Sequence, residues 1–217
     1  MLRSIAAQTQ LPDEVVLVDD ASEDGSADAL RAWLGDQPWL ADGRGRLIVH
    51  ERNVGQAASL NEGIATVGTE LVMILNSDDY LLHDAVAVTL RRFAEHPEMG
   101  LTGAHCIHFS GDDFLERAPK LSTEYVPEEL PLTIQLPEQV LGYRGYNDLN
   151  MTHSSSCFRK LAWEAVGGYR PKKERCTPFS DRDLQIRINA LFPVGIAYET
   201  PLSFWRTDSS VDRGRDS

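Results

Sequence analysis

Two adjacent carboxylates, Asp78 and Asp79, end the run Leu71-Val72-Met73-Ile74-Leu75-Asn76-Ser77 and are the residues best placed to do chemistry. Five apolar residues in a row suit a strand buried on both faces. A strand ending in Asp-Asp sets two oxygen donors at its carboxyl edge, where open α/β sheets bind ligands. Paired acids repel unless something positive sits beside them. A hard divalent cation carrying a diphosphate answers that need, because Mg²⁺ and Mn²⁺ take a few carboxylate oxygens plus phosphate oxygens. The plainer reading is a solvated turn, which Ser-Asp-Asp also makes. His105 and His108 have a spacing that invites a metal site, but three residues apart on a strand they point to opposite faces.

Strand and helix signals alternate around these acids. Residues 14–19 and 46–50 read as strands, with a helix through Leu30, Trp33 and Leu34 between them. Ala57, Leu60, Ile64 and Val67 place a helix over 56–67. After the 71–75 strand, a helix over about 84–95 is stopped by Pro97, and 99–109 reads as one more strand. Such alternation predicts an α/β fold with a mixed, mostly parallel sheet flanked by helices. Residues 110–150 carry Pro119, Pro127, Pro131 and Pro137 and no sustained period. They read as a long excursion beside the site or an inserted hairpin, since a structureless loop of that length is unusual in a compact domain. A helix over 160–166 ends at Gly167-Gly168. Another spans 181–191, with Ser180 as N-cap and Asp183 in the capping-box position. Short strands are expected at 194–199 and 202–205.

Composition bounds the class. At 217 residues the chain can form one α/β domain with a substantial core, and neither a repeat nor a linker divides it. A net charge of −12 argues against a nucleic-acid partner or an anionic membrane surface. Cys106, Cys157 and Cys176 are odd in number and widely spaced, which suits reduced thiols in a cytoplasmic compartment. No apolar run reaches transmembrane length, and Met1-Leu2-Arg3-Ser4 leads into a polar segment unlike a signal-peptide core. The absence of G-x-G-x-x-G after any strand speaks against a dinucleotide-dependent oxidoreductase, and the absence of a Gly-rich, Arg-containing loop speaks against a nucleotidyltransferase.

Several short motifs then fall in a telling order: Gln8-Thr9, Val18-Asp19-Asp20-Ala21-Ser22-Glu23-Asp24-Gly25-Ser26, Asn53-Val54-Gly55 with Asn61-Glu62-Gly63, Asn76-Ser77-Asp78-Asp79, and Gly167-Gly168-Tyr169 with Ser180-Asp181-Arg182-Asp183-Leu184. Each is weak alone. The ordered set resembles a family 2 glycosyltransferase of the GT-A fold over most of the chain outside 110–150. The resemblance implies inverting transfer of a sugar from a nucleotide-diphosphate donor, assisted by Mn²⁺ or Mg²⁺, to a glycan, glycolipid or glycoprotein acceptor. It also implies a nucleotide-sugar half over 1–109 and an acceptor half over 110–217.

Roles for single residues follow from the same resemblance. Asp20 would accept the N3–H of a uracil or thymine base, favouring a UDP- or TDP-sugar; a carboxylate accepts and cannot donate. Asp19 reads as structural or ribose-facing. Asp79 is the expected metal ligand, with Asp78 nearer the sugar or ribose. Asp181 holds the general-base position, taking the acceptor hydroxyl's proton as that oxygen attacks. The helix dipole there keeps a carboxylate ionised but weakens it as a base, and an acid merely stabilising the helix start is the bland alternative for Asp181 and Asp183 alike. Arg206 stands near where the diphosphate is expected and has the planar donors to grip it; a surface ion pair is its plainer role. Asp208 replaces the family's usual His as a third metal ligand. His153 and Ser154-Ser155-Ser156 line the acceptor cleft or form structural hydrogen bonds.

The sequence departs from the pattern in two places. Leu60 stands where a basic residue is usual, and the chain starts inside the family's first helix. Without the preceding strand, unpaired edges would face an apolar core. A non-catalytic relative that binds or scaffolds is therefore the alternative reading.

Overall fold

The computed structural model describes residues 1–111, 113–125, 132–137, 149 and 151–207. In chain order the elements are α1 (Leu2–Ala6), β1 (Val15–Asp19), α2 (Ser26–Gly35), β2 (Gly45–Val49), α3 (Gln56–Thr66), β3 (Leu71–Met73), β4 (Tyr80–Leu81), α4 (Ala85–Glu95), β5 (Leu101–Ala104) and β6 (Cys106–Phe109). There follow α5 (Phe114–Glu124), β7 (Thr133–Gln135), β8 (Cys157–Arg159), α6 (Lys160–Ala165), α7 (Ser180–Asn189), β9 (Val194–Ala197) and β10 (Ser203–Arg206).

The α/β alternation holds, and the strands form three sheets ordered β1-β2, β3-β8-β5-β9-β7 and β4-β10-β6. Among the described residues β1–β2, β10–β6 and β5–β9 pair in parallel, while β10–β4, β3–β8, β5–β8 and β7–β9 pair antiparallel. The sheet is thus mixed as expected, with a smaller parallel share. Returning strands from the second half cause this, because β8 enters between β3 and β5. The strand expected over 99–109 breaks at His105, and its two parts join different sheets. None of the described helices is long and apolar enough to cross a membrane.

Helix α5 lies where the prolines argued against regular structure, with Pro119 inside it. A proline within a helix costs about 3 kcal/mol. Phe114, Ala118 and Ser122, spaced by one turn, are all buried, and the first two join Tyr80, Leu82, Phe109 and Phe204 in a core cluster. Burying one aromatic side chain recovers about 1.5–3 kcal/mol, enough to offset most of that cost. Tertiary burial wins over local propensity here.

Between β1 and β3 the structure is divided. Consecutive residues Val15, Val16, Leu17 and Val18 on one side, and Leu71, Val72, Met73, Ile74 and Leu75 on the other, line one cavity of about 420 Å³. Consecutive residues line it because the strands present their edges to it, and among the described residues neither strand pairs on that side. An apolar cavity can take up a small apolar guest. Native protein at neutral pH is accordingly expected to enhance ANS fluorescence while retaining cooperative unfolding; no enhancement would show the cavity to be closed in solution.

Candidate active site

The turn after β3 carries Asp79 into the interior, where it is 2% exposed. The Ser154 hydroxyl and the Asn76 side-chain amide (3.3 Å) donate to Oδ2, and the Arg206 backbone N–H donates to Oδ1 (3.2 Å). Burial, reinforced by the nearby charge of Asp78, raises the Asp79 pKa against the pull of those donors. A buried carboxylate disfavoured as an anion and flanked by a second acid suits a divalent cation. Among the described residues no three His, Cys, Asp or Glu side chains gather to hold one.

Asp79 shares a cleft of about 320 Å³ with Asn76, His153, Ser154, Asp181, Arg182 and Trp205. The structure therefore brings Asp79 and Asp181 to one opening. Phe179, half exposed, stands at its edge. Asp20, Asp78 and Arg206 are not among its described lining residues.

The resemblance puts the general base at Asp181, while a helix-start role fits Asp181 and Asp183 alike; packing gives the two acids different surroundings. Asp183 is fully buried, accepts from the Cys176 backbone N–H (2.8 Å) and pairs with Arg187 (2.7 Å). Arg187 also donates to the carbonyls of Val166 and Gly168, both at 2.7 Å. The capping-box expectation is corrected: the N-cap is Phe179 without a side-chain cap, and the Ser180 hydroxyl donates to Gln56 Oε1 (3.1 Å). Asp183 instead anchors the helix that presents Asp181.

Arg187→Leu would leave the Asp183 charge buried and unpaired, and is expected to cost about 3–5 kcal/mol of unfolding free energy, read by denaturant titration. Burial pushes the Asp183 pKa up, but the Cys176 amide and Arg187 outweigh it and hold the folded value below 3.8. The pair's contribution is therefore present above the unfolded pKa and lost as pH falls through the depressed one. The gap between variant and wild type should shrink accordingly in acid.

Asp20 lies beyond β1, and both oxygens are engaged. Oδ1 accepts the Val54 N–H (2.8 Å) and contacts His50 Nδ1 (2.8 Å), while Oδ2 accepts the Gly55 N–H (2.8 Å). Desolvation raises its pKa, yet these amides and His50 prevail and lower it, keeping the group an anion. The Asn53-Val54-Gly55 motif is thereby tied to the Asp19-Asp20 corner. His50, which also meets Glu62 (2.9 Å), was missed from sequence. The pairing that brings it there is tertiary: parallel register sets Asp19 beside Val49, so the next residues, 20 and 50, fall side by side. Asp19 is buried and accepts the Ser22 N–H (2.9 Å), a turn role.

Two further motifs meet across the chain. The Asn61 side-chain amide donates to the Tyr169 carbonyl (2.9 Å) and accepts the Tyr169 N–H (2.8 Å). Gly167 and Gly168 both have positive φ, at 74° and 68°, and a Cβ on Gly168 would sit 2.7 Å from Asn61 Oδ1. Glycine is needed there on both counts. Gly63 of α3 lies against β1, where a Cβ would come 3.0 Å from Val18.

Arg206 offers Asp79 its backbone N–H, and its guanidinium lies 5.8 Å from the Phe114 ring centre. Asp208 falls outside the described residues. Trp205 reaches the cleft and packs edge-on against His108 at 4.9 Å.

The chain belongs to Glycosyl transferase family 2, whose sequence model matches residues 1–159. It is 32% identical over 122 residues to the amylovoran biosynthesis glycosyltransferase AmsE of Erwinia amylovora, covering 54% of this chain and 43% of that protein. It is 39% identical over 82 residues to the succinoglycan biosynthesis protein ExoU of Rhizobium meliloti, covering 36% and 22% respectively. The chain thus spans less than half the length of both relatives. Among solved structures, S. aureus TarS in complex with UDP superposes with a TM-score of 0.67 at 16% identity, covering 95% of this chain and 55% of that one. The mannosyltransferase PcManGT of Pyrobaculum calidifontis, in complex with GDP-Man and Mn²⁺, gives 0.64 at 20% identity, covering 99% and 54%. The fold is GT-A, with mixed sheets flanked by helices.

Proposed function

We propose that this chain is the catalytic unit of an inverting glycosyltransferase that moves a sugar from a nucleotide diphosphate to an acceptor hydroxyl. The observation that carries this reading is the convergence of Asp79 and Asp181 on one cleft from different halves of the chain. Asp181, on the first turn of α7, is the general base that takes the acceptor proton. Asp79, with Asp78 beside it, holds Mn²⁺ or Mg²⁺; a bound cation supplies positive charge against the departing diphosphate. Arg206, and Asp208 beyond the described residues, complete the diphosphate and metal contacts.

Asp20 receives the N3–H of the base, which favours a UDP- or TDP-sugar. Its ionised carboxylate keeps acceptor capacity on Oδ2 beyond the Gly55 bond. Residues 1–109 and 110–217 form the donor and acceptor halves of one domain, and the acceptor is a glycan, glycolipid or glycoprotein. Three free cysteines accord with a cytoplasmic setting.

A second reading, a binding or scaffold protein without turnover, draws on the divided sheet, which sets the Asp20 and Asp79 corners on separate sheets. One experiment separates the two. Thermal unfolding is followed with UDP, GDP, CDP and TDP, with and without Mn²⁺, and sugar release is then measured from the corresponding nucleotide sugars. A ligand at a hundredfold its Kd stabilises the folded state by about 2.7 kcal/mol. The enzyme reading expects a Mn²⁺-dependent shift with UDP or TDP and release of the sugar. Stabilisation without release supports the scaffold, and neither response overturns both.

A further inference from the structure

A chain of hydrogen bonds runs from the Gly-Gly-Tyr turn into the cleft. The Tyr169 hydroxyl lies 2.8 Å from His153 Nε2, His153 Nδ1 lies 3.1 Å from Asn76 Oδ1, and Asn76 Nδ2 lies 3.3 Å from Asp79 Oδ2. The Asn76 amide gives its NH₂ to Asp79 Oδ2 and turns its oxygen toward His153 Nδ1. That oxygen only accepts, so His153 must carry its proton on Nδ1. Nε2 is then the acceptor, and the Tyr169 hydroxyl donates to it. Burial of His153 favours the neutral ring, against the opposing charge of Asp181. With Oδ2 taken by Asn76 and Ser154, Oδ1 carries one N–H and keeps the freer lone pairs for the cleft.

We propose that His153 is a positioning residue for the Asp79 carboxylate, acting through Asn76 and oriented from behind by Tyr169. Only the identity of what Asp79 holds rests on the glycosyl-transfer reading; the relay itself is a property of the folded chain.

The relay makes an unusual demand on one substitution. In Asp79→Asn the Arg206 backbone N–H, which can only donate, claims the amide oxygen at the former Oδ1 position, so the new NH₂ faces Asn76, which must flip its amide and offer NH₂ to His153 Nδ1. His153 must then move its proton to Nε2 and donate to the Tyr169 oxygen. Imidazole ¹⁵N shifts of metal-free protein are therefore expected to report the Nδ1–H tautomer in wild type and the Nε2–H tautomer in Asp79→Asn. An unchanged tautomer overturns the proposal, as does an Nε2–H ring in wild type.

A second measurement uses side-chain geometry. His153→Asn keeps a donor near the former Nδ1 and hence the Asn76 contact; His153→Gln keeps a group near the former Nε2 and hence only the Tyr169 contact. Outer-shell partners of metal ligands are typically worth about 10–100-fold in metal affinity. Mn²⁺ affinity in the presence of UDP is expected to fall by that factor in His153→Gln and by much less in His153→Asn. A packing role alone would favour Gln, the closer match in volume, so equal losses or the reverse order overturn the relay. If wild type binds no Mn²⁺ with UDP, the glycosyl-transfer reading falls while the tautomer measurement still decides the relay.

Discussion

Asp181→Asn is expected to lower sugar transfer by about 10²- to 10⁴-fold, the range a positioned general base contributes. Donor affinity should hardly change, because the substitution removes a proton acceptor and leaves the diphosphate contacts in place. The loss should therefore appear in kcat and in kcat/KM alike, marking an interaction made in the transition state. Folding should be almost untouched: Asp181 is partly exposed, and such positions usually shift stability by no more than about 0.5 kcal/mol. Asp183→Asn supplies the contrast. It strips Arg187 of its charged partner, a fully buried carboxylate, so its main effect is on stability. Steady-state kinetics beside denaturant titration of the two variants separates the roles. Full activity in Asp181→Asn would remove the general base from the mechanism.

Asp79→Asn is expected to abolish the Mn²⁺-dependent part of nucleotide affinity and, with it, transfer. Stability should move the other way. The folded-state pKa of Asp79 is raised by burial and by Asp78, so its anion is less favourable folded than unfolded. For an acid raised in this sense, the native state carries the full penalty above the raised value and none below the unfolded one. Asparagine escapes that penalty, and a flipped Asn76 amide satisfies its NH₂. The variant should thus melt above wild type at neutral pH, with the difference shrinking as pH falls toward 3.8. A calorimetric series over pH, paired with titration of Mn²⁺ and UDP, checks both halves. A variant less stable than wild type at neutral pH would show that the lost charge-assisted donors outweigh burial. Undiminished Mn²⁺-dependent binding would place the cation elsewhere.

These effects bear on how the chain is built around its acids. Local signals located α3, α4, β1 and β2 to within a residue or two and gave three residues of α2, since apolar periodicity states which side of an element is buried. The same signals missed α5, because Pro119 argues locally against a helix and only the cluster around Phe109 and Phe204 compensates. They also ran β5 and β6 together, since the break at His105 exists to feed two sheets.

The amino-acid order alone determined that acids stand at strand ends and at a helix start, and in what succession their motifs come. That was enough for the family, because each motif is local. The surroundings of each acid were decided by tertiary structure. Asp183 became an anchor because Arg187 and Cys176 close on it, and Asp181 was left facing the cleft. Asp79 drew its donors from Asn76, Ser154 and Arg206, the last two 75 and 127 residues away. Spacing sets where a side chain starts on its own element; desolvation and partner charge, which set its chemistry, come from segments that only folding brings near.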